Sequence, residues 1–303
     1  MATALAVIFA LVAAWCFAFG SFVQQGVARE SGEHILRLHL LLSLLRQPRW
    51  LLGVALSGGS FLILAIALAF GPLTLVLPLA ATDVLFALPF IARRNRRGLT
   101  RRDAAGALTV TAGLVVFLAV SPPSPGTGHP GLTAWLPVFA AIGALAAVSA
   151  VMARRAAGQA RVLWLAAAAG ACYGLLDALT KATVDIISVR GAAVLVEWEP
   201  YVLGVAGMLG ALFGQSAFES GALSLSLPVI DTLEPVTAVI IGATVFGERL
   251  ASSAGQLALQ LAGGAAAVAG IALLSHSSIV ETETRQTPGA AEPGAGGPSG
   301  TPA

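Results

Sequence analysis

Long apolar runs separated by short polar stretches dominate the chain. A helix crossing a bilayer needs roughly 20 apolar residues, and such runs occupy about 3–24, 50–70, 72–92, 104–120, 132–152, 161–187, 201–220, 222–246 and 254–275. They predict an all-α integral membrane protein with nine transmembrane helices. A tenth would be 33–47, but that segment is short and sets Arg37 and His39 among its leucines. An arginine at the bilayer centre costs about 2–3 kcal/mol, so an amphipathic helix lying in the interface suits 33–47 better. The count is nine, or ten if 33–47 crosses.

Two of these regions repeat. Gly71-Pro72-Leu73-Thr74-Leu75-Val76-Leu77-Pro78-Leu79 aligns with Gly221-Ala222-Leu223-Ser224-Leu225-Ser226-Leu227-Pro228-Val229 at five identical positions of nine. Upstream, Leu52-Gly53-Val54-Ala55 recurs as Leu203-Gly204-Val205-Ala206. Five predicted spans separate the starts of the two copies, and an odd number reverses direction. The duplication is therefore read as an inverted internal repeat, the arrangement expected of alternating access around a midplane site. Residues 1–120 form the first repeat and 121–131 a Pro/Gly-rich external linker. Residues 132–275 form the second repeat, with an extra linking span at 132–152, and 276–303 a disordered cytoplasmic tail with no role in the fold.

Loop charge orients the chain. With the N-terminus outside, fourteen arginines fall on the cytoplasmic side, from Arg29 through the run Arg93–Arg102 to Arg285, and only Arg190 and Arg249 fall outside. That is a strong positive-inside bias, and it predicts a multi-pass plasma-membrane protein with a cytoplasmic tail. No positive stretch precedes the first apolar run, so a cleaved signal peptide is not expected.

Composition sharpens the class. The chain is 57% hydrophobic and 11% charged, with a mean hydropathy of +0.86, whereas soluble domains carry about 25% charged residues. A net charge of +2 over 303 residues offers no field for nucleic acid. Cys16 and Cys172 are too few for a disulfide framework and read as small apolar residues. No HExxH pair, GxSxG elbow, P-loop or Cys/His cluster is present, so an enzyme is not expected, nor is transport driven by ATP bound to this chain.

Leu233-Glu234-Pro235-Val236, then Phe246-Gly247-Glu248-Arg249-Leu250 and a final Gly-rich span, resemble the close of an EamA-type domain of the drug/metabolite transporter superfamily. The first half is similar to the NIPA-type magnesium transporter branch. That similarity lies in Trp50-Leu51-Leu52-Gly53, the run 69–76, Pro78-Leu79 and a lysine, Lys181, in the corresponding later helix. The resemblance covers roughly 3–275 and implies a permease for a solute or for magnesium. Where that branch carries an early acidic residue, this chain reads Ser57-Gly58-Gly59-Ser60.

An ionisable group within the bilayer is costly and needs a partner or a wet cavity. Asp177, Lys181 and Asp185 share one helical face at i, i+4, i+8, and Lys181 is expected to be neutralised by Asp177 or by a carboxylate on a neighbouring helix. They form a structural ion pair or a charge switch lining the pathway. Asp231 and Glu234 lie between Pro228 and Pro235, each of which removes a backbone donor, and loosened backbone beside two carboxylates suits a cation or a proton relay. Asp83, one turn past Pro78, mirrors them. Gln24, Gln25, Gln215 and Glu219 add neutral and acidic ligand candidates, while Glu248 reads as structural. If magnesium is the cargo, Asp231 and Glu234 would ligate it.

The leading expectation is a secondary transporter moving a small polar or amphipathic solute, with H⁺ as coupling ion and no cofactor. The alternatives are a NIPA-like magnesium permease and a non-transporting membrane scaffold. The expected partners are the lipid bilayer and a solute or divalent cation, with a homodimer compatible with this architecture.

Overall fold

A computed structural model of the protein describes residues 2–30, 36–70, 76, 79–96, 98–120, 130–248, 253–278, 280 and 283. Every regular element among them is a helix: α1 (Ala2–Glu30), α2 (Leu38–Leu44), α3 (Pro48–Phe70), α4 (Asp83–Arg94), α5 (Arg101–Ala119), α6 (Leu132–Arg155), α7 (Gly158–Arg190), a 3₁₀ turn (Gly191–Val196), α8 (Glu199–Ser220), α9 (Leu223–Val245) and α10 (Ala254–Ser275). An apolar run in lipid has no water for its N–H and C=O groups, so it satisfies them within a helix. All but α2 and α4 are long and apolar enough to cross a membrane, eight helices among the described residues. The chain is a multi-pass membrane protein.

Among the described residues eight of the nine expected spans are found; of the one predicted at 72–92 they show α4, which is 12 residues long and contains Pro89. Gly71–Leu75, Leu77 and Pro78, the core of the first repeat copy, lie outside the described residues, as do 121–129 of the predicted linker and most of the tail. The doubtful segment 33–47 yields only the seven-residue α2. Leu40 and Leu44 of α2 are fully buried and the helix packs on α8, so tertiary contact, not the interface alone, holds it. Helix starts follow their caps. Thr100 and Asp103 form a reciprocal capping box on α5, and Ser253 accepts the Gln256 N–H at the start of α10, satisfying donors left over in a first turn.

Side-chain contacts fix the helix directions. Phe9 stacks on Phe70 and Phe17 meets Phe61 edge-on, so α1 and α3 are antiparallel. Trp15 meets Phe90, and Arg94 lies 4.7 Å from the Phe22 ring, so α1 and α4 run together. The second half repeats the pattern. Gly207, Gly210 and Gly214 of α8 descend past Leu176, Tyr173 and Ala169 of α7, while Gly170 and Gly174 of α7 climb beside Leu233 and Thr237 of α9. Thus α7 is antiparallel to α8 and parallel to α9.

Between the halves, α5 and α10 pack antiparallel with close backbone approach. A Cβ on Gly113 would stand 2.6 Å from Gly263 O, and one on Gly270 2.8 Å from Gly106 O. Small residues allow this contact where no hydrophobic force drives helices together in lipid. The alternation gathers the arginines at one end, with Arg29, Arg94 and Arg155 closing α1, α4 and α6 and Arg101 opening α5. Exposed leucines such as Leu62 and Leu261 on the outer helix faces complete the lipid-facing surface.

Candidate functional site

Away from the arginine-rich end the bundle contains a cavity of about 470 Å³. Its walls are mostly apolar, with Phe17 of α1, Phe61 and Leu64 of α3, and Leu114 and Leu118 of α5. Four carboxylic acids reach it: Asp83 from the start of α4, Asp177 from α7, and Asp231 and Glu234 from α9. Ser60 is the other hydroxyl or acid in the lining, and among the described lining residues none is Lys, Arg or His.

Packing explains why these acids meet. Gly174 presents no side chain toward α9, and a Cβ there would sit 2.5 Å from Glu234 O. The two helices therefore touch backbone to backbone, one turn from Asp177. On α9 the i, i+3 spacing turns Asp231 and Glu234 toward one face, and Pro228 and Pro235 bracket them inside an unbroken helix. Each proline removes a backbone donor. Asp83 is buried at the first turn of α4, where its Oδ1 accepts the Val84 N–H at 2.8 Å.

The acids are close enough to interact across helices, Asp83 with Asp231 and Asp177 with Glu234. A carboxylate only accepts, so a hydrogen bond between two carboxyls needs one proton shared by the pair. One oxygen, Asp231 Oδ2, is buried with no donor among the described residues. The site can hold protons and attract positive charge, and its apolar walls give an organic cation something to bury.

The other predicted residues lie elsewhere. Lys181 does not line the cavity. Its ammonium pairs with Glu248, beyond the end of α9, and lies 4.7 Å from the Phe246 ring. Of its two expected neutralisers, Asp177 gives way to a neighbouring carboxylate, because Asp177 is turned to Glu234. Asp185 is exposed near the end of α7.

Gln24, Gln25, Gln215 and Glu219 are buried at the arginine-rich end instead. There Gln215 Nε2 donates to Gln24 Oε1 at 2.8 Å, Trp50 Nε1 to Gln215 Oε1 at 3.1 Å, and Gln24 Nε2 to Ser57 Oγ at 2.9 Å. Gln25 Nε2 donates to Gly221 O at 2.8 Å. The sequence pattern named Ser60 only within the Ser57–Ser60 stretch that stands where the resembled branch has an acid, and it did not single out Glu283, described below.

The chain is 32% identical over 247 residues to the uncharacterized protein Cgl0250/cg0304 of Corynebacterium glutamicum, a match covering 81% of this chain and 86% of that protein. It belongs to the same family as that protein. No model of a known protein family matches the chain, and no solved structure matches it. The name of the Corynebacterium relative carries no activity, so the chemistry of this family member rests on its cavity.

Proposed function

We propose that this protein is a secondary transporter of the drug/metabolite transporter type, and that it carries a small amphipathic solute with a positive charge in exchange for protons. The observation that carries this reading is the cavity itself. Four carboxyls meet in an otherwise apolar chamber whose described lining offers no cationic side chain. Acids in the bilayer without a basic partner mark an ion or substrate pathway. A cation entering between the pairs would displace the shared protons, which gives exchange without a nucleotide.

The helix directions favour an inverted repeat. Within each half, the first long helix is antiparallel to the second and parallel to the helix bearing the acids (α1, α3, α4 and α7, α8, α9). Gln24 and Gln25 near the end of α1 bond to α8 and to the residue that ends it. The last turns of α1 and α8 therefore share one side, which sets α1 antiparallel to α7. The equivalent helices α5 and α10 cross on the axis between halves. This is the frame on which two halves rock around a central site. By the positive-inside rule the arginine-rich end faces the cytoplasm, and the cavity lies toward the other side.

Magnesium takes second place. Among the described residues no three His, Cys, Asp or Glu side chains converge as a metal cluster, whereas Mg²⁺ asks for near-octahedral oxygen ligation. The test is a proteoliposome assay with an interior pH dye, using benzyltrimethylammonium as the permanently charged probe. An outward gradient of the probe should draw protons inward, and Asp231→Asn with Glu234→Gln should abolish the flux. Folded protein that moves no protons with this probe but passes Mg²⁺ would overturn the reading.

A further inference from the structure

Two residues beyond α10, Val280 and Glu283, sit against the bundle at the arginine-rich end. Glu283, within the stretch expected to lie outside the fold, is fully buried, as is Val280, which joins the core containing Ala28 and Ile91. Glu283 Oε1 accepts from Arg94 Nη2 at 2.8 Å. Its Oε2 accepts from Ser224 Oγ at 2.6 Å and from the Ser224 N–H at 3.2 Å, and its backbone carbonyl accepts from Arg29 Nη2 at 2.9 Å. Ser224 stands in the first turn of α9, where N–H groups have no partner within the helix and the dipole favours an anion. One guanidinium, a hydroxyl and a first-turn N–H thus hold the carboxylate, an arrangement that charge-assisted hydrogen bonds make strong, while a second guanidinium holds the backbone carbonyl of the same residue.

The partners matter as much as the seat. Arg29 belongs to α1, Arg94 to α4 and Ser224 to α9, so a single residue from the tail ties two helices of the first half to one of the second. The Gln24–Gln215 and Gln25–Gly221 bonds cross the same seam. So does the bond from the Leu36 N–H to Ser216 Oγ at 2.9 Å, made by a leucine whose φ of 57° is unfavourable for a residue with a Cβ.

We infer that Arg94 and Ser224 form an anion site whose ligand is the chain's own Glu283, with Arg29 holding that residue's backbone, and that this carboxylate latches the arginine-rich end shut. The seat stands on these contacts alone; its consequence for flux rests on the transport reading. For the cavity to open at this end, α1 and α4 must part from α9, and Glu283 must then release Ser224 or Arg94.

The experiment uses the full chain in lipid nanodiscs with Cys16→Ala and Cys172→Ala. Ser226→Cys, fully buried two residues beyond Ser224, reports opening, and Ser149→Cys, fully buried in α6, reports general loosening. Alkylation by a water-soluble maleimide is timed at each position. Glu283→Ala should speed alkylation at Ser226→Cys about tenfold and leave Ser149→Cys unchanged, and Glu283→Gln should act in the same direction if the alanine variant is poorly produced. A short bifunctional thiol reagent should also join Ser224→Cys to Glu283→Cys. An unchanged rate at Ser226→Cys would overturn the latch, as would equal acceleration at both positions. No solute is involved, so a failed transport assay beside an accelerated Ser226→Cys would sink the transport reading and leave the latch standing.

Discussion

The two ends of the bundle are made from the same apolar helices and treat polar side chains in opposite ways. At the arginine-rich end, Gln24, Gln215, Trp50 and Ser57 answer one another across three helices, and Glu283 meets Arg94 and Ser224. Toward the other side, Asp83, Asp177, Asp231 and Glu234 have chiefly each other for company, around about 470 Å³ of space. In a bilayer an interhelical hydrogen bond contributes roughly 0.6–2 kcal/mol, while a carboxylate left without a partner costs several kcal/mol. One end therefore holds the halves together, and the other keeps a standing demand for positive charge. On the proposed transport reading, the network at the arginine-rich end closes a gate and the acids await cargo.

The largest effect follows from removing that demand. Asp231→Asn with Glu234→Gln should reduce probe-driven proton flux to background while the melting temperature holds or rises, because neutral isosteres relieve the desolvation of buried carboxyls. Glu283→Ala, at the opposite end, should lower the melting temperature. If both changes destabilise alike, the two ends are equivalent structural clusters and the contrast fails. Circular dichroism melting beside the liposome assay decides it.

Next comes the packing that brings the acids together. In Gly174→Val, side-chain carbon would be forced to within 2.5 Å of Glu234 O, and overpacking of this kind costs about 1–3 kcal/mol. The helices α7 and α9 should separate, splitting Asp177 from Glu234 and weakening exchange more than stability. Flux and melting measured on one preparation test this, and full flux with lowered stability would show that the Asp177–Glu234 contact is dispensable.

At the arginine-rich end, Gln215→Leu deletes the acceptor of Trp50 Nε1 and the donor to Gln24 Oε1. Losing bonds worth about 1.4 kcal/mol corresponds to a tenfold shift in an opening equilibrium. Alkylation at Ser226→Cys should accelerate by up to about that factor. No acceleration would make the glutamines packing groups that do not gate.

How much of this was written in the chain depends on whether a feature is local. Apolar runs are local, so the helices were legible; of the run at 72–92 the described residues show the helix that starts at Asp83. Asp231 with Glu234 was legible for the same reason, sharing one helix between two prolines. That Asp83 mirrors them was visible through the repeat. The tail was not: from 276 its composition is polar and rich in Pro and Gly, and nothing local tells Glu283 from its neighbours. Its role comes from Arg94 and Ser224, 189 and 59 residues away. The glutamines were read as ligand candidates, but a sequence cannot say at which depth two spans cross, and the structure buries them at the arginine-rich end, away from the cavity.

The smallest effect should come from the residue that looked sharpest in the sequence. Lys181 is the one lysine of the chain, and its i, i+4 spacing from Asp177 invites a charge switch in the pathway. In the folded protein the two part company: Asp177 faces the cavity, while Lys181 leans away to Glu248 and the Phe246 ring, with its side chain 39% exposed. A pair so open to its surroundings contributes about 0–1 kcal/mol, and the ring contact adds about 0.5–1 kcal/mol. Lys181→Met keeps most of the stem that packs on Phe246 and removes the charge. Proton flux driven by the probe should stay within about twofold of the parent, with a melting temperature lowered slightly, since a loss of 1 kcal/mol corresponds to a few degrees in a domain of moderate size. A tenfold loss of flux with unchanged melting would place Lys181 in the transport cycle. The contrast between ends would then need a third region, near the far end of α7 and α9, where a cation moves between Glu248 and Asp177 as the halves rock.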